Sequence, residues 1–216
     1  AAEGVAPHLR RARSGVSVLF LVNAVLYANL VPRLPEVKAR LDLSNAALGS
    51  AIAAMPLGAM LAGLLAPAVI RWVGSARAAS QGLVVLAAAV ACLPLAPGWP
   101  AFALLMLVVG AVDAVVDVAQ NAHGFRVQRA YGRSIVNAFH GVWSVGSVLG
   151  GALGSAAAGL SVPLGLHLGV SAGVFGAAAL VAGRLLLPGP EDAERPAAAG
   201  GPSTPRRLVR HTVLAL

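Results

Sequence analysis

Spacings of three and four residues place Asp113, Asp117, Gln120, Asn121 and Gly124 along one stripe of a helix. The segment around them, LLMLVVGAVDAVVDVAQNA, is otherwise apolar. An ionised carboxylate in such a setting costs several kcal/mol unless it is paired or faces water. The stripe therefore predicts a polar interior rather than a lipid-facing surface. His140 lies on the next apolar segment. With one helix ending at Phe125 and the next starting at Ile135, a rise of 1.5 Å per residue puts Asp113 about 18 Å, Asp117 about 12 Å and His140 about 7 or 8 Å from the shared end. Asp117 and Asn121 then bracket His140 in depth, which predicts a polar cluster between these two helices. On the first apolar segment Asn23 falls near the middle, Tyr27 follows one turn on along the same face, and Asn29 lies nearer the far end.

Together Asn23, Tyr27, Asp113, Asp117, Asn121 and His140 suit hydrogen bonding to a small polar solute. Aspartate or histidine could also carry a proton coupled to its movement, because burial disfavours the charged form of either group. The competing reading is a satisfied network that fixes helix contacts. His123 reads as interfacial, close to a helix edge, and His167 stands alone. Catalysis finds little support. No His-Glu-x-x-His pair is present, and Ser144 and Ser147, one and two turns from His140, lack an orienting partner. No glycine loop with lysine cradles a phosphate, so any work would draw on a gradient rather than on ATP. Cys92, the single cysteine, leaves no disulfide or thiolate metal cage within the chain. No metal site, cofactor or catalytic residue is expected.

The elements that hold these residues are long apolar helices. With 58% hydrophobic and 11% charged residues in 216, the chain lacks the polar surface of a soluble domain of its size. A bilayer core about 30 Å thick requires roughly 20 apolar residues per helix. Six runs meet that length: 14–31, 44–70, 78–97, 101–125, 135–160 and 163–187. VPRLPEVKARLD, RWVGSAR, PGWP, RVQRAYGRS and the short Ser161-Val162-Pro163 separate them. Period-two alternation is absent, so the fold class is all-α, an integral membrane bundle of six helices. Residues 1–13 read as a cytoplasmic N-terminus, 14–187 as the bundle, and the Pro-, Ala- and Gly-rich 188–205 as a cytoplasmic linker. The basic, then apolar RRLVRHTVLAL of 206–216 reads as the start of a seventh helix. As the chain also does not open on methionine, it is expected to be part of a longer protein, with a complete six-helix protein as the alternative.

Basic residues set the orientation. Arg10, Arg11 and Arg13 precede the first run, Arg71 and Arg77 follow the second, and Arg126, Arg129 and Arg133 follow the fourth. The turns after runs three and five carry none, which places both the N-terminus and the C-terminal tail in the cytoplasm. Arg33, Lys38 and Arg40 break the pattern, partly balanced by Glu36 and Asp42. The net charge of +8 is spread over loop ends, which fits a topology signal and not a nucleic-acid partner. One lysine among sixteen basic residues, with abundant Ala and Gly, suggests a GC-rich bacterial genome and hence a bacterial inner membrane.

Six helices, a linker and the start of another helix resemble the N-terminal half of a major facilitator superfamily transporter. In GLLAPAVIRWVGSAR, Gly63, Arg71, Gly74 and Arg77 match the superfamily's cytoplasmic loop signature. Its usual acidic residue is missing, with Pro67 and Ala68 in that region, and the spacing between the glycines is longer. DVAQNAHGFRVQRAYGRSIVNAFHGVWSVGSVLGGALG is similar to a bacterial, sugar-permease-like subgroup: an Asp-x-x-x-Asn step, a Tyr-Gly-Arg turn, and Phe-His before a glycine-rich helix. The resemblance implies a 3+3 inverted repeat in which helices two and five are counterparts. Gly146, Gly150 and Gly154, like Ala54, Gly58 and Ala62, form flat strips that permit close helix approach in lipid. Its functional implication is secondary active transport of a small polar solute, proton-coupled, with helices one, four and five lining a cavity. The partners are then the lipid bilayer, the solute and a second six-helix half. The alternative is a non-transporting six-helix scaffold or an inactive fragment.

Overall fold

The computed structural model describes residues 5–191, and within them every regular element is helical. Eight α-helices follow in order: α1 (Pro7–Ala28), α2 (Leu34–Arg40), α3 (Asn45–Gly63), α4 (Ala66–Val73), α5 (Ser75–Cys92), α6 (Trp99–Tyr131), α7 (Val136–Gly159) and α8 (Leu164–Gly183). Short 3₁₀ turns at Val31–Arg33 and Leu93–Leu95 extend α1 and α5. Six of these stretches are long and apolar enough to cross a membrane. The expected linker beyond residue 191 and the start of a seventh helix at 206–216 lie outside the described residues.

Among the differences from the sequence reading, four have a clear local reason. α1 begins at Pro7 rather than at residue 14, since proline suits the first helical turn and the arginines behind it are good helix formers. The basic turn after it is itself the short helix α2, with Glu36 in its first turn and Lys38 and Arg40 in its last, the charge order a helix dipole favours. The second run breaks after Gly63, because Pro67, without an N–H, opens α4. α6 continues six residues past Phe125, so RVQRAY is helix and not loop. It stops at Gly132, whose φ of +69° is a left-handed conformation that closes the helix. Gln128 Oε1 then accepts the N–H groups of Ile135 and Val136 at 2.8 and 3.1 Å, starting α7.

Close backbone approach organises the bundle. α1 packs along α7, and α3 along α6. A Cβ on Gly146 would lie 2.7 Å from the Leu21 carbonyl oxygen, and one on Gly150 2.8 Å from that of Val25; one on Gly154 would overlap the Asn29 carbonyl. Partners advance by four on both helices, so α1 and α7 run parallel. On the other pair Gly110 abuts the Met55 carbonyl and Gly58 the backbone of Leu107 and Ala111, while Trp99 Nε1 donates to Ala47 O at 2.7 Å. These helices run parallel as well. α5 packs on α6 and α8, and α1, the most enclosed helix, touches α5, α6, α7 and α8. The core is Leu, Val, Ala and Phe, with Phe20 stacked on Phe139 at 5.5 Å.

Candidate functional site

Midway along the bundle a hydrogen-bonded chain links three helices. Asn23 of α1 donates through Nδ2 to Asp113 Oδ1 of α6 at 2.6 Å, and its Oδ1 accepts from Trp143 Nε1 of α7 at 2.9 Å. The amide serves as donor on one side and acceptor on the other, so both its polar ends are engaged in a site where it is almost wholly buried. Asn23 is 16 residues from the start of α1 and Asp113 is 18 from the end of α6, about 24 and 27 Å along their axes. The similar depths let the two meet. Tyr27, one turn beyond Asn23, is half-buried beside this chain.

The rest of the stripe divides. Asp117 is exposed on α6 and bonds within its own helix, accepting from Gln120 Nε2 at 3.3 Å and from Asn121 Nδ2 at 3.1 Å. Gln120 is fully buried and Asn121 half-buried, so the five residues span an edge of the bundle instead of one uniform face. Gly124 is closed over by Phe139 and Val16. His140, exposed on α7, meets Phe20 edge-on at 5.3 Å; no hydrogen bond joins it to Asp117 or Asn121 among the described residues. The bond across α6 and α7 runs through Asn23 instead, because these two helices touch only slightly while α1 packs against both. Ser144 and Ser147 return their hydroxyls to the carbonyls of His140 and Trp143, four residues back.

Trp143 is a member that reasoning from the sequence missed. The signal was present: an indole three residues after His140 and seven before Gly150, on the α7 face that carries the buried glycines, brings a single N–H donor to membrane depth toward α1. Two other polar groups are more involved than their sequence context implies. His123 is fully buried, since the segment following α8 folds over it. Its Nε2 accepts from Leu187 N at 3.2 Å, which leaves the proton on Nδ1 to donate to Ser75 Oγ at 2.8 Å. His167 faces Arg33, whose guanidinium is buried and also holds Glu36 and the Val162 carbonyl.

The loop signature runs from the end of α3 through α4 into the start of α5. Gly63 ends α3 in open space, Arg71 and Arg77 are exposed, and Gly74 takes φ +83° and ψ 151°, a conformation restricted to glycine. Glu191 Oε1 accepts the Ser75 N–H at 2.7 Å, so a carboxylate from the far end of the described chain sits at the start of α5. Arg126, expected in a loop, is buried in α6 and donates to the carbonyls of Leu187, Pro188 and Gly189. Of the cations that break the charge pattern, Arg33 is paired as above and Arg40 donates to Pro94 O, so both serve local structure.

Six helices long and apolar enough to cross a membrane, around a part-buried polar chain, define a multi-pass membrane protein. No family model matches the chain. It is 30% identical over 136 residues to an uncharacterized transporter of Sinorhizobium fredii, covering 63% of this chain and 36% of that protein. It is 32% identical over 154 residues to an uncharacterized MFS-type transporter of Yersinia pestis, covering 66% of this chain and 39% of that protein. The chain is thus homologous to major facilitator superfamily transporters over about 65% of its length while spanning less than two fifths of theirs, consistent with the N-terminal half of such a transporter.

Proposed function

We propose that this bundle is one half of a proton-coupled secondary transporter of a small polar solute in a bacterial inner membrane, with the chain's N-terminus and C-terminal tail in the cytoplasm. The observation that carries the reading is the Asp113–Asn23–Trp143 chain, centred on the buried Asn23, beside an exposed Asp117 at membrane depth. A carboxylate exposed there cannot stably face hydrocarbon, so its side of α6 fronts a water-filled cavity or a second bundle. The solute meets the exposed edge formed by Asp117, Asn121, His140 and Trp143, with Tyr27 and Asn23 behind it. Asp113 and Asp117 move the coupling proton. Alternating access requires two six-helix bundles rocking about a shared site, so this bundle acts with a second one.

The test uses proteoliposomes of the longer protein that contains this bundle, supplied with a panel of labelled sugars, polyols and amino acids under an inward proton gradient. Uptake of at least one solute is expected, collapsing with a protonophore and absent in Asp117→Asn. Asp113→Asn retains an acceptor for Asn23, so it should fold normally yet lose proton dependence. Unchanged pH-dependent uptake in both variants would refute the coupling role. Uptake by vesicles holding only the monomeric 216-residue chain would refute the need for a second bundle.

A further inference from the structure

We propose that the end of the bundle where α1 begins carries an anion site built for a phosphate group, in the cleft between α1 and the turn joining α6 to α7. The cleft has a volume of about 530 Å³ and is lined by Arg10, Arg13, Ser14, Ser17, Val18 and Tyr131. Arg13 and Arg133 come from distant parts of the chain, yet both guanidinium groups stand over the Tyr131 ring, 5.6 and 5.8 Å from its centre. Arg13 also donates to the Tyr131 hydroxyl at 3.4 Å. Two like charges gathered on one ring repel each other, and the ring returns only about 0.5–1 kcal/mol per exposed cation.

Among the described residues no carboxylate is paired with Arg13 or Arg133; the ion pair of Arg33 with Glu36 lies at the opposite end of α1. The serine hydroxyls of the cleft are unpartnered among the described residues as well. Ser80, Ser144 and Ser147 each donate to the carbonyl four residues back, whereas Ser14 and Ser17 make no hydrogen bond among the described residues. Arg10 likewise has no partner there. Two guanidinium groups and two serine hydroxyls line the cleft and a third guanidinium, Arg133, stands over its Tyr131 wall, so the site is rich in donors for a negative ligand, and arginine forks match the oxygens of a phosphate two at a time. The cleft lies where α1 enters the bundle, within reach of a lipid headgroup and of a soluble phosphate ester. The chemistry is shared and the sources are separable.

The full 216-residue chain in a neutral detergent is titrated with inorganic phosphate by calorimetry. Lipid retention is measured by native mass spectrometry with phosphatidylglycerol against phosphatidylcholine. At least one of phosphate and phosphatidylglycerol is expected to bind, and Arg13→Gln/Arg133→Gln should weaken that binding at least tenfold. Arg11→Gln/Arg184→Gln removes the same charge from the same end and should change it less than threefold. Phosphate binding identifies a soluble ligand; retained phosphatidylglycerol without phosphate binding identifies a lipid. Should the first pair misfold, Ser14→Ala/Ser17→Ala is read in its place, with a loss of threefold or more expected. Binding of neither probe, equal losses in both arginine pairs, or no loss in the serine pair overturns the proposal.

Discussion

Gly150 and Gly151 are neighbours on α7, and the same substitution should move stability in opposite directions at the two positions. A methyl group on Gly150 would sit 2.8 Å from the Val25 carbonyl oxygen, 2.9 Å from Ala28 Cβ and 3.0 Å from Val25 Cα. Ordinary contact begins near 3.4 Å, so α1 and α7 must separate by about half an ångström. That shift weakens dispersion contacts along the interface, and overpacking of this kind costs about 1–3 kcal/mol. A methyl on Gly151 meets nothing within 4 Å. There the substitution only removes the conformational freedom glycine loses on entering a helix, a gain of about 0.5–1 kcal/mol. Gly150→Ala carries the same helix gain, so the two variants should differ by the packing cost alone, about 1–3 kcal/mol, a factor of roughly five or more in the folding equilibrium. Equilibrium unfolding in mixed micelles, followed by the helical circular-dichroism signal, measures both. A Gly150→Ala variant as stable as Gly151→Ala would refute the close parallel packing of α1 on α7.

Trp143→Phe keeps the ring in place but removes the donor to Asn23 Oδ1. With Asn23 almost wholly buried, the orphaned oxygen should cost about 1–3 kcal/mol in the same unfolding assay; a neutral result would mean that the Asn23–Trp143 bond does not hold the site. Arg33→Met strips donors from the Val162 carbonyl, His167 and Glu36, and should cost about 1–3 kcal/mol. Glu36 is 44% exposed, so Glu36→Gln should cost less than about 1 kcal/mol; equal losses in thermal unfolding would contradict the view that the neutral acceptors, not the ion pair, hold this arginine.

The helices were legible because hydropathy in a bilayer is a strong, length-limited signal, and all six spans overlap the apolar runs read from the chain. Their ends were less legible. Arginine-rich RVQRAY looks like a loop by polarity, yet Arg, Gln and Ala are good helix formers, and the buried Arg126 finds carbonyl partners 61 to 63 residues away. In the site, spacing identified Asn23 and Asp113 separately as polar residues at depth. Their bond depends on how α1 crosses α6, which no local pattern encodes. The same holds for His140, which the sequence reading set between Asp117 and Asn121 in depth but which lies on a helix that barely touches α6. Depth is a property of one helix at a time, whereas contact depends on the bundle.

The two glycine-lined pairs bear on how chemistry is distributed in the fold. α1 with α7 and α6 with α3 are equivalent under an inverted repeat that exchanges helix one with four and two with five, and both pairs are parallel with glycine set against a backbone carbonyl. The packing follows the symmetry. The polar groups do not: α1 and α7 bring Asn23, Tyr27, His140 and Trp143 to the site, while α6 brings Asp113, Asp117 and Asn121, and α3 has no charged residue or histidine along its length. Small residues suffice to join parallel helices in lipid, since the driving force is close approach and not polarity. Polar groups cost free energy at that depth and persist where they bond to one another or face water. Here they gather where α1 lies between α6 and α7 and packs on both, so substitutions on α1 at Asn23 should disturb the site more than any equal change on α3.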